Sequence, residues 1–109
     1  MSHAQKIKLK QTKKNVKKYL HLLIKDGFPI KEAYIFGSYA REDFHDDSDI
    51  DVCIVSSRFK KNWDKYEAYL WTKTRFIDSR IEPIGYTPED FKNSIVLVEE
   101  IKQYGIKVL

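Results

Sequence analysis

Residues 36–55 read Phe-Gly-Ser-Tyr-Ala-Arg-Glu-Asp-Phe-His-Asp-Asp-Ser-Asp-Ile-Asp-Val-Cys-Ile-Val. The stretch begins with a Gly-Ser turn and ends with Asp49 and Asp51, which alternate with apolar residues at the period of a β-strand. Successive side chains of a strand point to opposite faces, so both carboxylates leave the same face, roughly 7 Å apart along the chain. Because two carboxylates so placed can share one divalent cation or a close pair of cations, the stretch predicts a metal site.

The sequence on either side of this stretch predicts alternating helices and strands. Apolar residues at helical spacing predict a first helix that ends near Asp26, before Gly27, whereas residues 1–10 are expected to be frayed. Three apolar segments are predicted as strands, over residues 33–36, 49–56 and 79–85. Pro83 lacks a backbone donor, so we expect the last of these strands to lie at a sheet edge.

Helices are predicted between and after these strands. Ser38 is placed to cap a short helix through about Asp43, and an aromatic stripe predicts a longer helix after the second strand. Thr87 begins a last helix that ends near Gly105, and the final residues are expected to add a short strand. The pattern predicts a single α/β (α+β) domain over residues 1–109. It has a small mixed sheet of three to four strands, packed with about four helices.

Length and composition exclude several classes of protein. A chain of 109 residues is long enough for one core but too short for a second substrate-binding domain of ordinary size. No apolar run approaches the roughly 20 residues that span a bilayer, and the lysine-rich start lacks the apolar stretch of a signal peptide, so no membrane contact is predicted. The single cysteine, Cys53, is expected to be a buried hydrophobe and fits a cytoplasmic location.

Charge is unevenly distributed along the chain, although the net charge is only +4. Eight lysines and no acid precede position 26. This pattern favours a solvated helix face over contact with RNA, so no nucleic-acid partner is predicted. Six acids crowd ten positions: Glu42, Asp43, Asp46, Asp47, Asp49 and Asp51. Clustered acid without nearby base predicts a bound cation.

The aspartate pair has two competing interpretations. The first is a solvated surface turn, but the strand that follows is apolar enough to be central, where two like charges on one face are costly unless compensated. The second is a calcium loop with Asp47, Asp49 and Asp51 at its first, third and fifth positions. That loop fails where Val52 replaces its glycine and Arg58 its bidentate glutamate.

The Gly-Ser turn offers a place for phosphate. Gly37 lets the backbone approach a ligand closely, and the helix start at Ser38 supplies amide donors and a hydroxyl. A Gly-Ser pair alone is more often a simple turn, so the prediction depends on its combination with the aspartates.

This ordered combination resembles the signature of the nucleotidyltransferase superfamily that includes DNA polymerase beta, and most of all the minimal nucleotidyltransferases. Their pattern is a Gly-Ser-x-Ala-Arg-Gly turn, a short polar loop, and then Ser-Asp-Ile-Asp. It is matched here by Gly37, Ser38, Ala40, Arg41, Ser48, Asp49, Ile50 and Asp51. The resemblance extends over nearly the whole chain and implies the nucleotidyltransferase fold.

The resemblance also implies the site and its chemistry. Asp49 and Asp51 would hold Mg²⁺ in a two-metal site, with a third carboxylate on a neighbouring strand. Glu82 is the candidate for it, although the family more often has aspartate and a partner role for a nearby arginine stays open. Gly37 and Ser38 would bind the triphosphate of ATP, and Arg41 either contacts phosphate or forms a surface ion pair.

The resemblance implies an antitoxin that transfers AMP from ATP to a tyrosine of a cognate HEPN-domain toxin. Two departures, Glu82 and a glutamate at position 42 where the family usually has glycine, leave open a catalytically weakened subunit that acts by binding its partner. Transfer to a small molecule or an RNA end is a third interpretation. A homodimer or hetero-oligomer is plausible because a small domain is expected to leave a sheet edge unpaired.

Overall fold

A computed structural model describes all residues, 1–109, as a four-stranded sheet with five α-helices and one 3₁₀ helix. The strands are β1 Glu32–Phe36, β2 Ile50–Val55, β3 Ile81–Tyr86 and β4 Ile106–Lys107. The α-helices are α1 His3–Lys25, α2 Ser38–Arg41, α3 Trp63–Thr74, α4 Pro88–Asn93 and α5 Ile95–Tyr104, and the 3₁₀ helix spans Ser57–Lys60. The predicted fold class, a small mixed sheet packed with helices, is confirmed.

The strand order of the sheet is β3-β2-β1-β4. β1 pairs antiparallel with β2 and with β4, whereas β2 and β3 are parallel. The parallel pair needs a long crossover connection, which α3 supplies. Strand β2 lies between two neighbours and Val52–Val55 are fully buried, as its apolar sequence predicts. Pro83 lies on β3 at the sheet edge, as predicted, where its missing donor leaves no paired strand unsatisfied.

Helices cover both faces of the sheet. On one face, α1 and α3 pack against the strand residues of the main core, including Ile35, Ile50 and Ile54. On the other face, α4 and α5 contribute to a smaller cluster around Cys53 and Val55. Side chains alternate along β2, so Asp51 lies on the face of Cys53, the face that α5 covers. Cys53 is the buried hydrophobe that the sequence predicts.

Helix α1 extends further toward the N-terminus than the sequence predicts. It begins at His3, so residues 3–10, which were expected to be frayed, are helical. The reason is a capping box: the Ser2 side chain accepts from the Gln5 backbone, and the Gln5 side chain accepts from the Ser2 backbone. The helix ends at Lys25 with Asp26 as its C-cap, close to the predicted end near Asp26. None of the helices, α1 included, is long and apolar enough to cross a membrane.

Two other helices differ from the predictions. Helix α2 ends at Arg41 rather than near Asp43, and its N-cap is Gly37; Ser38 is the first helical residue and does not cap. The predicted last helix is divided at Ser94 into α4 and α5. The structure therefore has five α-helices rather than about four. The Thr87 cap is confirmed, because its side chain accepts from Asp90.

Candidate active site

Three carboxylates lie on the sheet face that α5 covers. Asp51 of β2 pairs in register with Glu82 of β3, so their side chains leave the same face of neighbouring parallel strands. Asp49 precedes β2 by one residue, two positions before Asp51, and is exposed. Asp51 and Glu82 are both half-buried. The sheet thus places on one face the three carboxylates that are predicted to act in one site.

These carboxylates repel each other. Burial raises the pKa of Asp51, and the negative charges of Asp49 and Glu100 raise it further. Burial also raises the pKa of Glu82, and the neighbouring Asp49 and Asp51 add to this increase. Both shifts mean that the ionised forms are unfavourable without a compensating positive charge.

The donor set fits a hard divalent cation. Carboxylate oxygens are the protein ligands that Mg²⁺ prefers, and a cation would relieve the repulsion that raises the pKa of Asp51 and of Glu82. As placed, however, no three His, Cys, Asp or Glu side chains lie close enough together to hold a metal ion. The three carboxylates are therefore not placed as a ready set of metal ligands, and Mg²⁺ binding here stays a prediction.

Gly37 connects β1 to α2 beside the carboxylates. Its φ is +71°, in the region that favours glycine, and a Cβ at this position would collide with the Asp51 carboxylate. The close approach explains why the turn needs glycine. The Gly37 N–H donates to Glu100 Oε2 of α5 at 3.1 Å. The amide that the sequence assigns to phosphate thus already has an anionic acceptor.

Ser38 and Arg41, the other predicted phosphate-binding residues, lie on α2. Ser38 is half-buried and stands next to Gly37. The Arg41 guanidinium lies 3.5 Å from Glu100 Oε1 and 3.6 Å from Asp43 Oδ2. Arg41 therefore forms ion pairs, as one of the two interpretations expected, but one of these pairs is with the carboxylate that Gly37 also binds.

Two basic side chains contact the acidic loop before β2. Lys8 of α1 donates to the Asp46 carbonyl at 2.6 Å and to its Oδ1 at 3.1 Å. Arg80 lies 3.5 Å from the same carbonyl. Within the loop, the His45 N–H donates to the Ser48 hydroxyl at 2.7 Å. These contacts fix the loop that delivers Asp49 to the site.

Arg80 does not pair with Glu82. Its guanidinium donates to Asp78 at 2.8 Å and to the Tyr39 hydroxyl at 3.2 Å. The interpretation of Glu82 as an ion-pair partner of Arg80 is therefore not supported by the structure. Glu82 instead faces the two aspartates, whose charges raise its pKa.

Sequence reasoning missed two residues that contact this region. Glu100 reaches Gly37 across 63 positions, and Lys8 reaches Asp46 across 38. Nothing in the sequence distinguishes Lys8 from the other lysines of α1. Both contacts depend on how the helices pack, which local sequence patterns do not reveal.

Comparison with known proteins gives the family. The model of the family described as "Nucleotidyltransferase domain" matches residues 7–108. The chain belongs to this nucleotidyltransferase family. The predicted family and enzyme class are thereby confirmed. A curated relative of this nucleotidyltransferase, named "Putative protein adenylyltransferase", comes from Methanocaldococcus jannaschii. The two are 31% identical over 98 residues, which is 87% of this chain and 93% of the relative.

Solved structures share the fold of this nucleotidyltransferase. A structure from Sulfolobus solfataricus, described as a "putative nucleotidyltransferase", has a TM-score of 0.72 at 23% identity, over 98% of this chain and 87% of that one. A toxin–antitoxin structure with AMP-PNP has a TM-score of 0.60 at 24% identity, over 85% of this chain and 72% of that one. A mutant of the toxin–antitoxin MntA-HpeT also has a TM-score of 0.60, at 22% identity and with the same coverage.

Proposed function

We propose that this nucleotidyltransferase transfers AMP from ATP, with Mg²⁺, to a tyrosine hydroxyl of a cognate HEPN-domain toxin and thereby acts as its antitoxin. The observation that carries the proposal is the register of Asp51 with Glu82, with Asp49 on the same face and Gly37 against Asp51. The name of the curated relative supports protein adenylylation, and the toxin–antitoxin neighbours support a toxin as partner.

Each residue has a role in this reaction. Gly37 and Ser38 bind the triphosphate at the turn, and Arg41 offsets its charge. Asp49, Asp51 and Glu82 would hold Mg²⁺, which would neutralise charge on the phosphates. In this proposal Glu82 also accepts the proton of the attacking hydroxyl, a role that a carboxylate beside the acceptor can fill.

The position of the site suits an acceptor on another protein. Asp49 is exposed and lies in the loop just before β2. Arg41 on α2 is also exposed. A side chain of a docked partner can therefore approach the carboxylates from solvent, without entering a closed cavity.

The test is transfer of label from ATP to the toxin. The wild type and the variants Asp49→Asn and Asp51→Asn are incubated with α-labelled ATP, Mg²⁺ and the HEPN-domain protein. We expect each variant to lose more than about 100-fold in transfer rate. Replacing a residue that only supports a metal ligand already costs about 10–100-fold in activity, and these variants remove a ligand itself. Asp47→Asn is the matched control, since Asp47 is an exposed acid of the same loop.

Two results would contradict the proposal. Equal transfer by the wild type and the Asp51→Asn variant would show that the carboxylates are not required. Tight binding of the toxin without any transferred label, unchanged in the variants, would instead indicate a subunit that neutralises its partner by binding alone.

A further inference from the structure

A single carboxylate of α5 contacts two donors of the predicted phosphate site, one a backbone N–H and the other a guanidinium. Glu100 Oε2 accepts from the Gly37 N–H at 3.1 Å, and Glu100 Oε1 lies 3.5 Å from the Arg41 guanidinium. The Glu100 side chain is 32% exposed, so it is neither fixed in the core nor free in solvent. Its two oxygens thus bridge the turn and the short helix that follows it.

This position is electrostatically poor for a carboxylate with only a structural role. Glu100 is close enough to Asp51 that its charge helps to raise the pKa of that residue. Like charges destabilise each other, and the charge of Arg41, which pairs with Glu100 and also lowers the pKa of Asp51, offsets only part of this repulsion. The Glu100 carboxylate is therefore held near Asp51 by the Gly37 N–H and the Arg41 guanidinium, which are the donors that a phosphate would need.

Phosphate and carboxylate compete for the same donors. Both accept charge-assisted hydrogen bonds from backbone amides and from guanidinium groups, and phosphate supplies more oxygens and more charge. One amide N–H cannot bind both at full strength. A triphosphate can therefore accept from the Gly37 N–H only when Glu100 has moved away, and Arg41 then also loses its Glu100 partner.

We infer that Glu100 occupies the phosphate subsite of the nucleotide-free enzyme and sets nucleotide affinity by competing with the triphosphate. The inference rests on the proposed function only in that Gly37 and Arg41 bind phosphate. Glu100 is able to leave because its carboxylate makes one hydrogen bond and one ion pair, to these two residues, and its side chain is 32% exposed. Arg41 keeps Asp43 as a partner at 3.6 Å.

The experiment measures binding of a non-hydrolysable ATP analogue with Mg²⁺, and of adenosine, by titration calorimetry. In the variant Glu100→Gln we expect the analogue to bind about tenfold tighter, because a charge-assisted competitor is replaced by a neutral one. Glu100→Ala removes the acceptor altogether and is expected to bind at least as tightly. Adenosine has no phosphate, so its affinity should not change.

Glu99→Gln is the matched control. Glu99 is the preceding residue of α5, its side chain is 68% exposed, and its recorded ion pair is with Lys102. The substitution makes the same change in net charge on the same helix. The affinity of the Glu99→Gln variant for the ATP analogue should stay within about twofold of the wild type, since solvent and salt screen an exposed charge.

The outcomes separate the inference from the proposed function. Unchanged or weaker binding of the analogue in both Glu100 variants would overturn the inference, as would an equal gain in the Glu99→Gln variant. Tighter binding in the Glu100 variants, without AMP transfer to the toxin by the wild type, would support the inference and refute the function. Transfer of AMP by the wild type, without tighter binding in the Glu100 variants, would support the function and refute the inference.

Discussion

At the residue scale, two positive φ angles determine the shape of the turn at the site. Gly37 has a φ of +71° and Glu42 a φ of +66°, so the four residues of α2 lie between two left-handed positions. Glycine adopts such angles without cost, whereas glutamate does not. The resemblance indicates glycine at position 42, and the structure gives the reason: the residue there is the left-handed C-cap of α2.

The variant Glu42→Gly is expected to unfold at higher denaturant. Relief of the left-handed strain favours the native state by about 1 kcal/mol, partly offset by the greater freedom of glycine in the unfolded chain. Urea unfolding at pH 7 measures the change. The control Glu42→Ala removes the same carboxylate but keeps the Cβ, so it should bring no gain. A gain in both variants would assign the effect to charge rather than to backbone strain.

The sequence predicts those site residues whose role follows from local pattern. Asp49 and Asp51 are found from strand alternation, and Gly37 from the turn before them. Glu82 follows only from the resemblance, which implies a third carboxylate on a neighbouring strand, and β3 does pair with β2. Glu100 could not be predicted, because its contact depends on how α5 packs over the turn, 63 positions away.

At the element scale, the start of β3 is fixed by a polar cluster. Asp78 accepts from the Arg80 guanidinium at 2.8 Å and from the Asn15 amide at 3.1 Å. Its side chain is 8% exposed. Arg80 also donates to the Tyr39 hydroxyl of α2 at 3.2 Å. The cluster thus joins α1 and α2 to the start of β3. Glu82 is the second residue of that strand.

This cluster predicts a dependence of stability on pH. Hydrogen bonding to Arg80 holds the pKa of Asp78 below its usual range. The unfolded chain has the ordinary value of about 3.9, so the ionised carboxylate stabilises the fold above that pH, and the contribution is lost as the pH falls through the folded pKa. Asp78→Asn should therefore lower the free energy of unfolding by about 1.5–3 kcal/mol at pH 7.

Urea unfolding of the wild type and the Asp78→Asn variant at pH 7 and in acid checks this expectation. The difference between the two proteins should shrink once the pH falls below the folded pKa of Asp78. Asp47→Asn, which replaces an exposed acid, should change stability little at either pH. A difference for Asp78→Asn that is as large in acid as at neutral pH would contradict an ionic origin.

Element boundaries show where sequence patterns fail. The strands and the end of α1 follow from apolar periodicity and turn residues. The division of the last helix at Ser94 does not, because Ile95 continues the helical spacing of Phe91 and Val98 and yet is 75% exposed. The apolar side chain of Ile95 predicts a core position, but α5 packs so that this side chain is exposed to solvent.

At the scale of the whole molecule, the site lies at the end of the sheet where β1 ends and β2 begins. The main core lies beneath α1 and α3, and the smaller cluster around Cys53 lies beneath α4 and α5. Asp49 and Asp51 come from the beginning of β2 and Gly37 from the end of β1, which meet because these strands are antiparallel. The topology therefore assembles the carboxylates and the turn at one end of the sheet.

The central claim is that the protein transfers a nucleoside monophosphate and not a phosphoryl group. The most direct measurement compares ATP labelled at the α-phosphorus with ATP labelled at the γ-phosphorus, in separate reactions with Mg²⁺ and the HEPN-domain toxin. If AMP is transferred, α label becomes attached to the toxin and γ label is released as pyrophosphate. Attachment of γ label to the toxin, or release of γ label as inorganic phosphate without attachment of α label, would contradict the central claim.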